Sequence, residues 1–340
     1  MRERAVIAAC KHRRALAPPS RPLLIKMRAL ARASARVAAS RVARTTPRDR
    51  TRVTMASAAS TSASPPRYVD THCHLDQVLR KMDLESVDDY LTLAETFDGA
   101  RATLDACVTI GCSSSSFDST ASVVRRSEKM FGAYGVHPLS ASEWADAATR
   151  DRVRELLTTE PRVVAVGETG LDYHRLPEAG ETEAEYKAAQ REAFVAQMAL
   201  ARELDLPLIV HTREAEEDTL ELMKAHLPRD ARVHVHCFTS SAALAKALLE
   251  AFPSNLCLGF TGVATFKNGA DVREVIAQVP LEKILLETDA PYMAPTPFRG
   301  QTAHPAMVPR IATAIATVHG VDESVVFTTC RDNTRRVYGI

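Results

Sequence analysis

The chain has 340 residues and a formal net charge of +1, with 43 Lys or Arg against 42 Asp or Glu. That balance is uneven: residues 1–66 hold 15 Lys or Arg against only Glu3 and Asp49, a net of +13, and residues 67–340 are net −12. No apolar stretch approaches the roughly 18 residues of a membrane span, which excludes an integral helical membrane protein and predicts a soluble mature domain. The seven cysteines include no CxxC pair, so neither a zinc knuckle nor a disulfide framework is indicated, and a reducing compartment fits.

The leading segment, with its run RALARASARVAASRVART, has neither the apolar core of a secretory signal nor a strand-like pattern. Residues 1–66 therefore read as a disordered basic extension, an organellar transit peptide for a plastid or mitochondrion; the other reading is a true start at Met55 and a cytoplasmic protein. From residue 67 onward strands and helices alternate, and no linker-like stretch interrupts them. The expected strands are Tyr68–His74, Ala106–Cys112, Met130–His137, Val163–Glu168, Leu208–His211, Val233–His236, Leu256–Phe260 and Ile284–Asp289, mostly rich in Val, Ile and Leu, as strands buried on both faces should be. The clearest helix begins at Thr182, which has capping-box spacing to Glu185, and runs until Pro207; others run from Ser241 to Pro253 and up to Pro280. Eight alternating units, with no Gly-rich dinucleotide fingerprint after the first strand, predict an α/β fold, a single-domain (β/α)8 TIM barrel over residues 67–340, rather than a doubly wound sheet.

Six residues sit at the ends of short apolar runs: His72, His74, Glu168, His211, His236 and Asp289. In a parallel barrel the carboxyl ends of different strands converge on one open face, so ligands far apart in sequence can share a metal site. The period of two puts His72 and His74 on one side of a strand and turns Cys73 to the other; by the same alternation Cys73 and Cys237 read as buried packing residues. Six ligands exceed what one zinc takes, so two divalent cations are expected, with Glu168 as the bridging carboxylate, His72, His74 and Asp289 on the first ion, and His211 and His236 on the second. Such a pair suits phosphodiester hydrolysis, with Asp289 doubling as general base. His137 and Arg299 are expected to contact phosphate and Tyr173 to stack on a base, whereas His234, one layer deeper than His236, is expected to be a buried structural histidine. His226 and His319, near helix ends, read as solvated.

The stretches DTHCHLD at 70–76, GVHP at 135–138, VGETGLDY at 166–173, IVHTR around His211, HCF at 236–238, and LLETDAPYMAP with PFRG from 285 to 300 occur in an order that resembles the TatD-type metal-dependent hydrolases and deoxyribonucleases, among the amidohydrolase-like barrels. The resemblance covers essentially the whole of residues 68–340, in the subtype that retains the HxH pair. It implies that the family's metal ligands fall on His72, His74, Glu168, His211, His236 and Asp289, and that Mg2+ is used. Four imidazoles by themselves favour Zn2+, Mn2+ or Fe2+ over Mg2+, so the metal stays open. Thr239 and Ser240 replace a usual Ser-Gly, and His304 replaces a usual Asn; these departures touch substrate contacts and leave the metal set complete.

The acidic mature domain weighs against broad nucleic-acid affinity, because phosphate neutralisation is what makes non-specific binding strong. A strand end gripped at the metals is still compatible, which favours an exonuclease over a processive duplex binder; the family resemblance then implies a metal-dependent 3′ to 5′ exonuclease acting on single-stranded DNA or RNA ends, with no obligate protein partner and no membrane expected. The alternative is an amide or ester hydrolase, such as a D-aminoacyl-tRNA deacylase. A barrel with purely structural metals is disfavoured, because a structural site is closed by four ligands from nearby segments.

Overall fold

The Val-, Ile- and Leu-rich runs pair as eight parallel strands: β1 Arg67–Cys73, β2 Thr103–Gly111, β3 Met130–Tyr134, β4 Val163–Asp172, β5 Leu208–Arg213, β6 Val233–Val235, β7 Leu256–Phe260 and β8 Ile284–Leu286. In this computed structural model, which describes residues 65–175 and 182–340, the strands lie side by side in chain order from β1 to β8. The first and last meet at their carboxyl ends, where the Asp289 N–H donates to the His72 carbonyl at 2.9 Å and the His74 N–H to the Ala290 carbonyl at 2.7 Å. The result is the expected (β/α)8 barrel. The basic leader, with the transit-peptide and Met55 readings attached to it, lies outside the described residues.

Helices cover the strands: α1 Leu75–Met82, α2 Val87–Thr96, α3 Phe117–Arg126, α4 Ala147–Thr159, α5 Glu183–Glu203, α6 Glu216–His226, α7 Ala242–Ala251, α8 Ala270–Gln278, α9 Val308–His319 and α10 Glu323–Tyr338. The start signals act as expected. The Thr182 hydroxyl accepts the Glu185 N–H while the Glu185 carboxylate accepts the Thr182 N–H, a complete capping box, and the Ser241 hydroxyl accepts the Leu244 N–H. Among the described residues, no helix is long and apolar enough to cross a membrane. His226 and His319 close α6 and α9, each half-buried rather than fully solvated.

Inside the barrel, Val108, Ile110, Ala133, Ala165, Ile209, Cys257 and Leu285 form the lower core, with Val337 and Tyr338 of α10 packed against them. Above this apolar plug comes a buried polar layer of Asp70, His234 and Glu287, each 0% exposed. His234 is the structural residue expected, with Nδ1 2.6 Å from the Tyr338 hydroxyl and Nε2 2.8 Å from Glu287 Oε2. Room for this pair depends on Gly259: a Cβ there would fall 2.3 Å from His234 Nε2 and 2.5 Å from the Glu287 carboxyl. The polar layer is the floor on which the site stands.

Several strand ends differ from expectation: β2 begins earlier than expected, at Thr103, and the other main differences fall at the site. β3 stops at Tyr134, because Pro138 opens a 3-10 turn over Pro138–Ala145 with His137 as its cap. β4 instead runs past Glu168 to Asp172, pairing Thr169 to Asp172 with Val210 to Arg213 of β5. β6 and β8 end before His236 and Asp289, and the chain then turns through left-handed backbone at Cys237 (φ 44°) and Asp289 (φ 51°).

Candidate active site

β1 and the residue that follows it, His74, which caps α1, deliver both imidazoles of the HxH pair, with ring centroids 5.5 Å apart and nearly perpendicular. Two residues deeper on the same side of the strand, the Asp70 carboxylate accepts the His72 N–H at 3.2 Å, the Thr288 N–H at 3.0 Å and the Thr288 hydroxyl at 2.6 Å. One buried carboxyl thus ties β1 to the segment that presents Asp289. Burial pushes Asp70 up to about 8 against those hydrogen bonds.

Glu168 sits at the centre, and its two oxygens face different partners. Oε2 is 3.5 Å from His72 Nε2. Oε1 is 2.9 Å from His211 Nδ1, 2.6 Å from His236 Nε2 and 3.4 Å from His137 Nε2. On the Oε2 side, Asp289 Oδ1 lies 3.7 Å from His72 Nε2 and 3.6 Å from His74 Nε2. Two atoms held about 2.0–2.2 Å from one ion are spaced about 3–4 Å apart, and the Oε2 side has that spacing. The His72 Nε2 and Nδ1 atoms are buried with no hydrogen-bond partner, an arrangement that costs free energy unless a ligand takes the lone pair. Donor types, spacing and orphaned nitrogens all fit divalent cations, and the groups His72, His74 and Glu168, and His137, Glu168 and His211, each bring ligand atoms within 4.8 Å of one another.

The electrostatics match. Burial alone would raise the Glu168 carboxyl, yet His236, His137 and His211 hold it well below the usual carboxylate range. Burial and then His236 push His72 down to about 3, leaving a neutral imidazole. Asp289 is held low against burial by His74, His72 and His236, so it stays ionised at neutral pH. His211 behaves differently: Asp172 and Glu168 outweigh burial and lift it to about 9.

All six expected ligands therefore converge, from β1, β4, β5 and the segments that extend β6 and β8. His137 joins them at Glu168 Oε1, closer to the ligand cluster than its expected role as a phosphate contact required. Sequence reasoning missed Asp172, whose Oδ2 is 3.3 Å from His211 Nε2. Its signal was strand parity with Glu168, hidden because the strand was expected to end at Glu168. A pocket of about 520 Å3 opens over the cluster, lined also by Gln77, Arg175, Arg213, Thr239 and Tyr292.

Three expectations fail. Tyr173 is absent from the pocket lining; its hydroxyl donates to Asp218 at 2.6 Å and accepts from Arg191 Nε at 3.1 Å, and Lys187 lies 4.6 Å from its ring centre. Arg299 stacks 3.5 Å over the Phe266 ring and donates weakly to the Ala294 carbonyl, so it too stands away from the pocket. Cys73 is buried as expected, but Cys237 lines the pocket, because strand alternation lapses once β6 has ended and the backbone turns left-handed. His304 is 2% exposed beneath Phe97, pushed down to about 4 by burial, and away from the pocket. The exposed aromatic at the site is Tyr292, 48% exposed, with its ring 6.5 Å from that of His74.

Comparison with known proteins agrees with this geometry. The family model described as TatD related DNase matches residues 69–339. An uncharacterized metal-dependent hydrolase of Escherichia coli, YcfH, is 34% identical over 272 residues, covering 80% of this chain and 96% of the relative. The human 3′-5′ RNA nuclease TATDN2 is 33% identical over 283 residues, 80% of this chain but 35% of the human protein, so the chain spans about a third of that relative. The 3′-5′ ssDNA/RNA exonuclease TatD of Escherichia fergusonii is 35% identical over 211 residues, covering 61% of this chain and 76% of the relative. The crystal structure of the TatD homologue YJJV from Escherichia coli aligns with a TM-score of 0.69 at 26% identity, covering 80% of this chain and 98% of that one.

Proposed function

Because the chain belongs to the TatD related DNase family, on the match over residues 69–339, we propose that it is a metal-dependent 3′ to 5′ exonuclease acting on single-stranded DNA or RNA ends. The observation that carries the reading is the split of Glu168: Oε2 faces His72 while Oε1 faces His211 and His236. One carboxylate thus serves two ligand groups, the first completed by His74 and Asp289 and the second supported by His137. Divalent ions bound there would supply Lewis-acid stabilisation of charge on a phosphoryl oxygen and acidify the attacking water.

The chain's own residues divide the remaining work. Asp289, ionised at neutral pH, is placed to take the proton from the attacking water at a carboxylate oxygen. Asp172, whose Oδ2 lies 3.3 Å from His211 Nε2, is placed to take the Nε2 proton of His211, which would leave Nδ1 to offer its lone pair on the Glu168 side once an ion displaces the second proton. Tyr292, exposed at the rim, offers an aromatic face to a terminal base, a contact that tolerates any sequence. The acidic domain favours gripping an end over coating a strand.

The test is product analysis after the purified full chain, loaded in turn with Mn2+, Mg2+ and Zn2+, is incubated with single-stranded DNA labelled at its 5′ end. The expected result is a ladder that shortens from the 3′ end. Intact DNA and RNA under every metal, with turnover of an aminoacyl ester, would replace the nuclease with the ester-hydrolase reading.

A further inference from the structure

Two cationic side chains of the pocket make no ion pair with its acidic cluster. Arg175, just beyond β4, and Arg213, at the end of β5, both line it and both are exposed. Among the described residues neither guanidinium has a hydrogen bond or ion pair, although Glu168, Asp172 and Asp289 line the same pocket. Their neighbours are satisfied elsewhere: His174 and Glu214 pair with each other, Nδ1 to Oε1, at 2.5 Å. With no carboxylate among the described residues hydrogen-bonded to it, each arginine can offer its fork to another anion, and phosphate suits that fork.

Their position in the barrel gives the argument its direction. With the strands in chain order, β4 and β5 stand opposite β8. Tyr292 follows β8, so a path from its ring to the arginines crosses the mouth above Glu168 and Asp289. Arg175 remains within electrostatic reach of the Tyr292 hydroxyl across that mouth, and Arg213 within reach of Asp172. A strand end with its last base on Tyr292 and its scissile phosphate at the acidic cluster would bring the next phosphate inward to the β4–β5 side.

We propose that Arg213 and Arg175 form a phosphate subsite for the internucleotide linkage neighbouring the scissile one, so that the protein reads at least two consecutive phosphodiesters. The subsite rests on the strand-end reading above, and it explains how a domain of net −12 holds a polyanion: the positive charge is local to one side of one pocket. A charge-assisted hydrogen bond of this kind changes affinity by roughly ten- to a hundredfold.

The test uses the full chain loaded with Mn2+ and two probes. One is 5′-fluorescein-labelled tetrathymidylate whose 3′-terminal linkage is a methylphosphonate, which resists cleavage, read by anisotropy. The other is bis(p-nitrophenyl) phosphate, a diester with no second phosphate, read by turnover. Arg213→Ala and Arg175→Ala should each raise the tetranucleotide Kd at least about tenfold and lower the salt slope by about 0.7, with bis(p-nitrophenyl) phosphate turnover within about twofold of wild type. Arg213→Lys should keep the salt slope and lose part of the affinity. A second methylphosphonate at the neighbouring linkage should weaken the wild type by a similar factor and leave the double Ala variant unchanged. Unchanged Kd in the variants, or equal weakening of wild type and double variant by the second methylphosphonate, overturns the subsite, as does a parallel fall in small-diester turnover. Binding as expected without cleavage of DNA or the small diester would defeat the nuclease reading and leave the subsite standing. Turnover of the small diester without tetranucleotide binding would do the reverse.

Discussion

Replacing Asp172 by Asn isolates the contribution of a carboxylate that is placed to touch a ligand rather than an ion. Asp172 Oδ2 lies 3.3 Å from His211 Nε2, and its Oδ1 accepts the His174 N–H at 3.0 Å. Its own N–H donates to Gln190 Oε1 at 2.8 Å, so the residue is pinned on three sides. Asn has nearly the same volume, and the fold should persist without a cavity. What changes is the acceptor: a neutral amide replaces a charged carboxylate, and an amide can also present an N–H to the imidazole, which weakens the preference for the tautomer that leaves Nδ1 free. Loss of such a partner behind a histidine ligand typically lowers metal affinity 10- to 100-fold, about 1.4–2.7 kcal/mol. The expectation is one weakened ion and one held as in the wild type, measured by competition with a chromophoric chelator. Wild-type affinity at both sites, with unchanged turnover, would refute the argument that Asp172 orients His211.

Glu168→Ala removes both oxygens at once, so metal content measured by plasma spectrometry should fall to one ion or fewer, with unchanged far-UV circular dichroism; two tightly held ions in that variant would contradict the bridge. Asp289→Asn keeps a coordinating oxygen but cannot take a proton, so turnover at saturating metal should stay at least about a hundredfold slow, and near wild-type rates would assign the proton to another group. With His211 lifted to about 9 before metal binds, an ion must displace its proton below that pH. Apparent affinity at that site should therefore climb about tenfold per pH unit from pH 7 and level off above 9; a flat profile by chelator competition would show that no proton is displaced. Gly259→Ala sets a Cβ 2.3 Å from His234 Nε2, and overpacking of that kind costs about 1–3 kcal/mol, visible as a Tm several degrees lower by calorimetry; an unchanged Tm would show that the polar floor yields freely.

The sequence by itself determined the barrel and the six convergent residues. Both follow from short-range regularities: eight apolar runs of strand length, helix caps at Thr182 and Ser241, and the rule that parallel strands gather their carboxyl ends on one face. His234 was legible for the same reason, since parity with His236 places it on the same side of β6, one step deeper. Tertiary structure decided the rest. Glu168 could be picked out as the candidate bridge, but only the three-dimensional arrangement turns Oε2 to His72 and Oε1 to His211, His236 and His137. Asp172 stayed hidden because the extension of β4 depends on its pairing with β5, a contact between segments well separated in sequence. Cys237 entered the pocket and Tyr173 and Arg299 left it for a related reason. All three lie in segments beyond the regular strands, where no ladder enforces alternation. There the direction of a side chain is set by the partners it finds: Asp218 and Arg191 for Tyr173, Phe266 for Arg299, and a left-handed turn for Cys237. Periodicity in a sequence carries as far as the hydrogen-bonded ladder that produces it, and past the strand ends long-range packing chooses.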